Sequence, residues 1–165
     1  MKKIFSVQVE NRSGVLSKIS GLFARRCYNI DSLAVGETEV KDVSCMTIVS
    51  SGDEQIMQQI EKQLNKKLDV IKVKTFEESE SVSRELLMMR LKYNSTNRRD
   101  IVENCAMIGA QIVDMSTTSF LIQLCDTPER ADLFIRMMTP FGINELARTG
   151  ITGLKRGSDD VIMFD

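Results

Sequence analysis

The sequence of 165 residues contains no histidine and no tryptophan, and it has only two prolines. Without histidine the chain cannot form Ser-His or Cys-His nucleophile pairs, and zinc sites of mixed Cys/His type are excluded as well. No apolar run approaches the ~20 residues that a membrane-spanning helix needs. The glycine-rich loops that cradle nucleotide phosphates are also missing. These absences exclude several large classes of enzyme and give no support to a membrane protein.

Charge is balanced and cysteine is sparse. A net charge of −1 gives the chain no general attraction for nucleic acid or anionic lipid. The four cysteines, Cys27, Cys45, Cys105 and Cys125, are scattered and form no Cys-x-x-Cys pair. The opening residues, MKKIFSVQVEN, predict a strand rather than an export signal. We therefore expect reduced thiols, a cytoplasmic location, and no cofactor or metal held by the chain itself.

Hydrophobic periodicity predicts the order strand, helix, strand, strand, helix, strand in the first half of the chain. Residues 5–10 alternate between apolar and polar, whereas the apolar residues of 15–23 recur at helical spacing. Two strands are predicted at 30–40 and 43–50, a helix capped by Asp53 follows, and residues 68–76 form the last strand.

The same order repeats in the second half. A strand near residues 87–93 precedes a helix with Asn97 as its predicted cap, and a strand pair and a helix starting at Thr127-Pro128 follow. The last predicted strand covers residues 143–154. Two such split βαβ units in tandem predict an α+β fold of ferredoxin-like topology, βαββαβ twice. We place the domains at 1–77 and 83–157, with a linker at 78–82 and a tail at 158–165.

In each unit we expect the helices to cover one face of an antiparallel sheet. Leu33, Val35, Met46 and Ile48 are expected on the uncovered face of the first sheet. An exposed apolar face on a small unit is commonly buried against a second copy, so we expect a homodimer or a larger assembly.

The stretch Asn11-Arg12-Ser13-Gly14-Val15-Leu16 joins the first strand to the first helix. N–H groups in the first turn of a helix lack intrahelical partners and favour a negative group. Phosphate sites normally add a lysine or more glycines, and both are missing here, so this junction suits a small carboxylate. Val15, Leu16 and Ile30 would contact a modest apolar group of the same ligand. An alternative remains open: Gly14 is only a turn residue, Asn11 and Ser13 only cap the helix, and Asn29 belongs to a plain loop.

A family resemblance bears on this choice. The segment VENRSGVLSKISGLFARRCYNIDSLAVGETE, residues 9–39, resembles the opening of an ACT domain, an amino-acid-binding module of ferredoxin-like fold. More narrowly, the chain resembles the small regulatory subunit of acetohydroxyacid synthase, also called acetolactate synthase. Further matching segments follow in the family's order: MTIVSSGDE, QIEKQLNKKLDVIKV, SRELLMMRLK, IVDMS and ELARTGITGLKRG.

The resemblance implies a function that composition does not show. Members of this family are not catalytic; they bind and activate a catalytic large subunit that uses thiamine diphosphate, Mg²⁺ and FAD. They also confer feedback inhibition on branched-chain amino acid biosynthesis, commonly by valine. On the matching positions the effector would bind where two ACT domains meet. Asn11, Arg12, Ser13, Gly14, Val15 and Leu16 would come from one protomer, and Asn29 and Ile30 from the other.

The chain departs from the family pattern in three places. Cys27 stands where glycine is usual, Cys45 stands where arginine is usual, and Met107-Ile108-Gly109 replaces a segment that usually carries Phe-Arg. An alternative function is a free-standing tandem ACT sensor of amino acids, or a transcriptional regulator with another partner. An RNA-binding module shares the topology, but it needs stacking aromatics, and aromatic residues make up only 5% of this chain.

Overall fold

The computed structural model describes residues 1–157, which form two compact units. The first unit comprises Met1–Ser83 together with residues 151–157, and the second comprises Arg84–Gly150. Within the described residues, each helix is too short or too polar to cross a membrane.

The first unit has the predicted element order. It contains β1 (Lys2–Glu10), α1 (Val15–Arg25), β2 (Ser32–Glu37), β3 (Val43–Ser51), α2 (Glu54–Asn65) and β4 (Val70–Phe76). The strands form an antiparallel sheet in the order β2-β3-β1-β4, so β2 and β4 are its edges.

Both helices of this unit cover the same face of the sheet. Phe5, Val7 and Val9 alternate along β1 and are at most 1% exposed beneath α1 and α2. The helices contribute the rest of the core: Val15, Ile19, Leu22, Phe23, Met57, Ile60 and Leu64. The prediction of helices on one face is confirmed.

The prediction that the apolar residues of β2 and β3 lie on the uncovered face of the sheet is wrong. Met46 and Ile48 are 2% and 0% exposed and lie in the helix-covered core, with Leu33 packed against it. Ile48 pairs with Phe5 on one side and with Leu33 on the other, while Val35 pairs with Met46, so all of these side chains share the face of Phe5. The sequence of β3 is apolar on both faces, and only its register with β1 decides which residues face the helices.

The second unit repeats the topology. It contains most of β5 (Ser81–Lys92), then α3 (Arg98–Ile108), β6 (Gln111–Met115), β7 (Ser119–Asp126), α4 (Pro128–Met138) and β8 (Ile143–Arg148), with the strand order β6-β7-β5-β8. Its core combines alternate residues of β5 with the inner faces of α3 and α4: Leu87, Met89, Leu91, Ile101, Cys105, Ile108, Ala131, Phe134 and Met138. The tandem ferredoxin-like fold is thereby confirmed.

Two connections differ from the sequence-based boundaries. Residues 78–82, placed in a linker, form a 3-10 turn at Glu78–Glu80 and the start of β5. The single strand predicted at 143–154 is interrupted after Arg148, because Gly150 adopts φ +80°, and a short strand β9 (Thr152–Lys155) follows and pairs with β5. From Ile151 onward the chain belongs to the first unit rather than to the domain in which the sequence placed it. The tail at 158–165 lies outside the described residues.

Candidate functional site

The loop between β1 and α1 is anchored to the end of the β2–β3 hairpin. The Asn11 backbone N–H donates to the Asp42 carbonyl at 2.7 Å, and the Asn11 side-chain amide donates to Glu37 Oε1 at 2.7 Å. The Arg12 guanidinium lies 3.3 Å from the Glu10 carboxylate. The loop is therefore held in place although Asn11, Arg12 and Ser13 are exposed.

The start of α1 has neither a capping side chain nor an acidic residue. Gly14 is the N-cap with φ 86° and ψ −9°, no side chain accepts from the first turn, and that turn carries no acid. By contrast, Asp53 accepts from the Ile56 N–H at the start of α2, and Thr127 accepts from the Arg130 N–H at the start of α4. The dipole at this helix start is thus not compensated within the first turn.

Space around Gly14 is open. A Cβ built on Gly14 would meet no atom within 4 Å. Its left-handed backbone strains ordinary residues, so a glycine is needed here for conformation rather than to avoid a clash. A substituent in the Cβ direction of Gly14 would therefore meet open space.

The side chains that follow Gly14 point in two directions. Leu16 is 44% exposed and is available to a ligand, whereas Val15 is 2% exposed and packs into the core. Val15 is aligned with Ile19, Leu22 and Phe23 on the inner face of α1, so its side chain does not contribute the ligand contact that the sequence suggested.

Asn29 and Ile30 lie at the opposite end of the sheet. Asn29 is exposed and Ile30 is half-buried against the first core. They precede Ser32, which pairs with Val49, whereas the loop follows Glu10, which pairs with Val43. Six residues of β3 separate these two levels, which corresponds to about 20 Å. One copy of the chain therefore does not bring the two halves of the predicted site together.

Sequence reasoning missed the carboxylates that hold the two asparagines. Glu37 accepts a hydrogen bond from the Asn11 amide. Asp31 accepts hydrogen bonds from the Asn29 amide and from the Ser51 hydroxyl, both at 2.5 Å. The Asn29–Asp31 contact spans only two residues and could be anticipated from the sequence. The Asn11–Glu37 contact depends on the register of the hairpin and gives no local signal.

Similarity to known proteins covers both units. Residues 5–72 match the family model described as AHAS small subunit-like ACT domain, and residues 84–157 match the model described as small subunit of acetolactate synthase. The acetolactate synthase small subunit of Mycolicibacterium smegmatis is 46% identical over 152 residues, covering 92% of this chain and 89% of that protein. This chain belongs to the acetolactate synthase small-subunit family.

Other members of the acetolactate synthase small-subunit family agree with this assignment. A probable small subunit from Archaeoglobus fulgidus is 46% identical over 158 residues, covering 96% of this chain and 99% of that protein. The crystal structure of the acetolactate synthase small subunit from Thermotoga maritima superposes with a TM-score of 0.90 at 30% identity, covering 96% and 99% of the two chains.

The three departures from the pattern of small subunits have different structural settings. Cys27 is exposed and has φ +54°, a left-handed conformation that favours the glycine usual in the family. The Cys45 sulfur lies 3.5 Å from the Ser6 hydroxyl. Met107 is 74% exposed at the end of α3, whereas Ile108 is buried.

A charged network in the second unit of this chain was not anticipated from the sequence. Glu85 is 4% exposed and forms an ion pair with Arg148, which also donates to Asp132 at 2.7 Å. Burial lowers the pKa of Arg148, but the hydrogen bonds to Glu85 and Asp132 outweigh it, so the pKa stays above its ordinary value. Such pairing allows a carboxylate to be buried in a fold of this size.

Neither the acids nor the thiols form a metal site in the described part of the chain. Within residues 1–157 no group of three or more Cys, Asp or Glu side chains is arranged to hold a metal ion. Burial raises the pKa of the Cys105 thiol to about 11, which keeps it protonated at neutral pH.

Proposed function

We propose that this chain is the non-catalytic regulatory subunit of acetolactate synthase, which activates the catalytic large subunit and mediates its feedback inhibition by valine. The observation that carries the proposal is the open, uncapped start of α1 at Gly14, found in a chain whose relatives are acetolactate synthase small subunits. The thiamine diphosphate, Mg²⁺ and FAD belong to the catalytic partner in this proposal. Both subunits would work in the cytoplasm.

The first turn of α1 suits the carboxylate of an amino acid. No side-chain cap and no acid occupies this turn, and an anion at such a position is stabilised by ~0.3–1 kcal/mol when exposed and by more when partly buried. Leu16, 44% exposed, supplies an apolar surface beside this turn. A short aliphatic amino acid such as valine matches both features.

A second copy would complete the site through the free edge of β2. This strand has β3 as its partner on one side, and it ends at Glu37, which holds Asn11. When two β2 strands pair antiparallel about a twofold axis, the start of one strand lies beside the end of the other. The partner's Asn29 and Ile30 would then lie next to the loop of residues 11–14. This arrangement explains why one copy separates the two halves of the site.

Regulation in this proposal is allosteric. An effector shared by two protomers changes the equilibrium between two arrangements of the dimer when it contacts them differently. A coupling of ~1–3 kcal/mol between the effector and the catalytic subunit is sufficient for useful control.

Reconstitution with the catalytic subunit of the same organism tests this function. The full-length chain should raise the acetolactate synthase activity of that subunit, and valine should then inhibit the mixture more effectively than leucine or isoleucine. The catalytic subunit alone, titrated with valine, is the control. Failure to activate would remove the regulatory assignment, and activation without any response to the three amino acids would remove the effector site.

A further inference from the structure

The segment of residues 151–155 is built into the first unit, although it follows the second unit in sequence. Ile151 is 4% exposed and forms a buried cluster with Ile4, Val49 and Phe76. This cluster lies on the sheet face opposite the helices, because Ile4 pairs with both Val49 and Phe76 and precedes Phe5. The segment therefore covers part of the face that α1 and α2 leave open.

Strand β9, which follows Ile151, is held by contacts with β5 and with the turn that precedes β5. It pairs with the start of β5, and a Cβ on Gly153 would come within 3.3 Å of the Ser83 Cβ. The Arg156 N–H donates to the Glu80 carbonyl at 2.8 Å. These contacts all lie within the first unit, and they hold the segment at both ends.

The same segment contacts the start of β2. The Ile151 N–H donates to the Ser32 hydroxyl at 3.0 Å. Ser32 directly follows Asp31, whose carboxylate holds the Asn29 amide, and the Asn29 carbonyl accepts from the Ser50 hydroxyl at 2.6 Å. Residues 29–32 are thus held by β3 on one side and by Ile151 from the open face.

We propose that Ser32 and Ile151 are positioning residues for the effector site: they hold the start of β2, and through it Asn29, in the conformation that binds the effector. The inference rests on the proposed function, because it assigns Asn29 to that site. An edge strand has few neighbours to define its position, and Val35 in the middle of β2 is 45% exposed. Besides the bonds to β3, the contact with Ile151 restrains the start of this strand from the open face of the sheet.

Point variants of the full-length chain test the inference. Ser32→Ala removes the acceptor of the Ile151 N–H, whereas Ser32→Thr keeps a hydroxyl at the same position. Ile151→Ala shortens the buried side chain, and Ile108→Ala is its matched control, because Ile108 is also a buried isoleucine, 6% exposed, but lies in the second core. Each variant is assayed for backbone hydrogen exchange, and for activity with the catalytic subunit at increasing valine.

Ser32→Ala and Ile151→Ala should speed exchange of the Asp31 N–H, which bonds to the Val49 carbonyl, by about 3- to 10-fold. They should raise the valine concentration for half-inhibition by a similar factor, while activation without valine stays near that of the unmodified chain. Ser32→Thr should restore both values, and Ile108→Ala should change neither.

Unchanged exchange at Asp31 in both alanine variants would overturn the inference. Equal effects of Ile151→Ala and Ile108→Ala would also overturn it, since general destabilisation would then explain the result. If the unmodified chain activates its partner but does not respond to valine, the effector site itself is wrong, and the exchange data still decide whether Ile151 holds β2.

Discussion

Replacing Gly14 by Asp and by Asn separates the charge at the start of α1 from its shape. The two side chains are nearly isosteric, and both tolerate the left-handed backbone better than other residues. Neither would clash, because a Cβ at this position meets no atom within 4 Å. Asn therefore serves as the matched control for the charge that Asp introduces.

The free energy of unfolding should change little in either variant. A left-handed conformation costs an ordinary residue ~1–2 kcal/mol, and less for Asn and Asp. A carboxylate near the first turn of a helix returns ~0.3–1 kcal/mol, and no acid occupies that turn of α1. The free energy of unfolding of Gly14→Asp should thus lie within about 1 kcal/mol of that of the unmodified chain. That of Gly14→Asn should be slightly lower than that of Gly14→Asp.

Effector affinity, unlike stability, should differ strongly between the two variants. The carboxylate introduced by Gly14→Asp would occupy the N–H groups proposed to receive the carboxylate of valine, and it would repel that group. We expect valine binding to weaken by about 1–3 kcal/mol, a factor of roughly 5 to 150, whereas Gly14→Asn should lose less than a factor of about 5.

Calorimetric titration of each variant with valine, with thermal unfolding measured in parallel, gives both quantities. The affinity difference between the two variants should shrink as salt is raised, since part of it is electrostatic. Equal valine affinities for Gly14→Asp and Gly14→Asn would refute the placement of the carboxylate at this helix start.

Three further predictions concern single residues. Cys27→Gly should stabilise the first unit by roughly 0.5–1 kcal/mol in thermal unfolding, because glycine adopts φ +54° without strain and loses only part of this gain to the entropy of the unfolded chain. A thiol reagent at about pH 8 should label the exposed Cys27 and Cys125 well before Cys105, whose pKa burial raises to about 11; early labelling of Cys105, read by mass spectrometry, would contradict its burial. Burial raises the pKa of Asp126, but hydrogen bonds from the Arg130 side chain and the Thr127 N–H lower it below its ordinary value overall, so this group stabilises the folded state above about pH 4 and the stabilisation is lost as pH falls through the lowered pKa. Asp126→Asn should therefore cost roughly 0.5–1 kcal/mol in denaturant unfolding at about pH 7 and nothing in strong acid, and a pH-independent cost would contradict the assignment.

Local patterns were sufficient for most elements of the fold. Asp53 and Thr127 cap their helices as predicted, because a short polar side chain before an apolar periodic segment leaves few alternatives. Asn97 also precedes its helix, but its side-chain oxygen accepts from the Asn94 N–H instead of capping α3. Such competition between a turn and a cap is decided by loop geometry that the sequence does not reveal.

Non-local pairing accounts for what the sequence did not predict. The face of β3 depends on its register with β1, and the sequence placed Met46 and Ile48 on the wrong side. The role of Ile151 is harder still to anticipate, since Ile151 contacts Ser32 across 119 positions of sequence. The loop at Gly14 and the helix start that follows it could be predicted from the sequence, because the residues that form them are consecutive.

A site shared between two copies would link effector affinity to the dimer. In the proposed dimer, antiparallel pairing of two β2 strands would create two equivalent sites, each with the loop at Gly14 from one copy and Asn29 from the other. An effector that binds only this assembly stabilises it by RT ln(1 + [L]/Kd) per site, about 2.7 kcal/mol at about 100 times Kd. The linkage is reciprocal, so a change at the start of β2 that weakens the dimer should also lower the apparent effector affinity. Because the Ser32 hydroxyl accepts from the Ile151 N–H at that point, we expect Ser32→Ala and Ile151→Ala to shift both equilibria, and sedimentation of each variant with and without valine measures this.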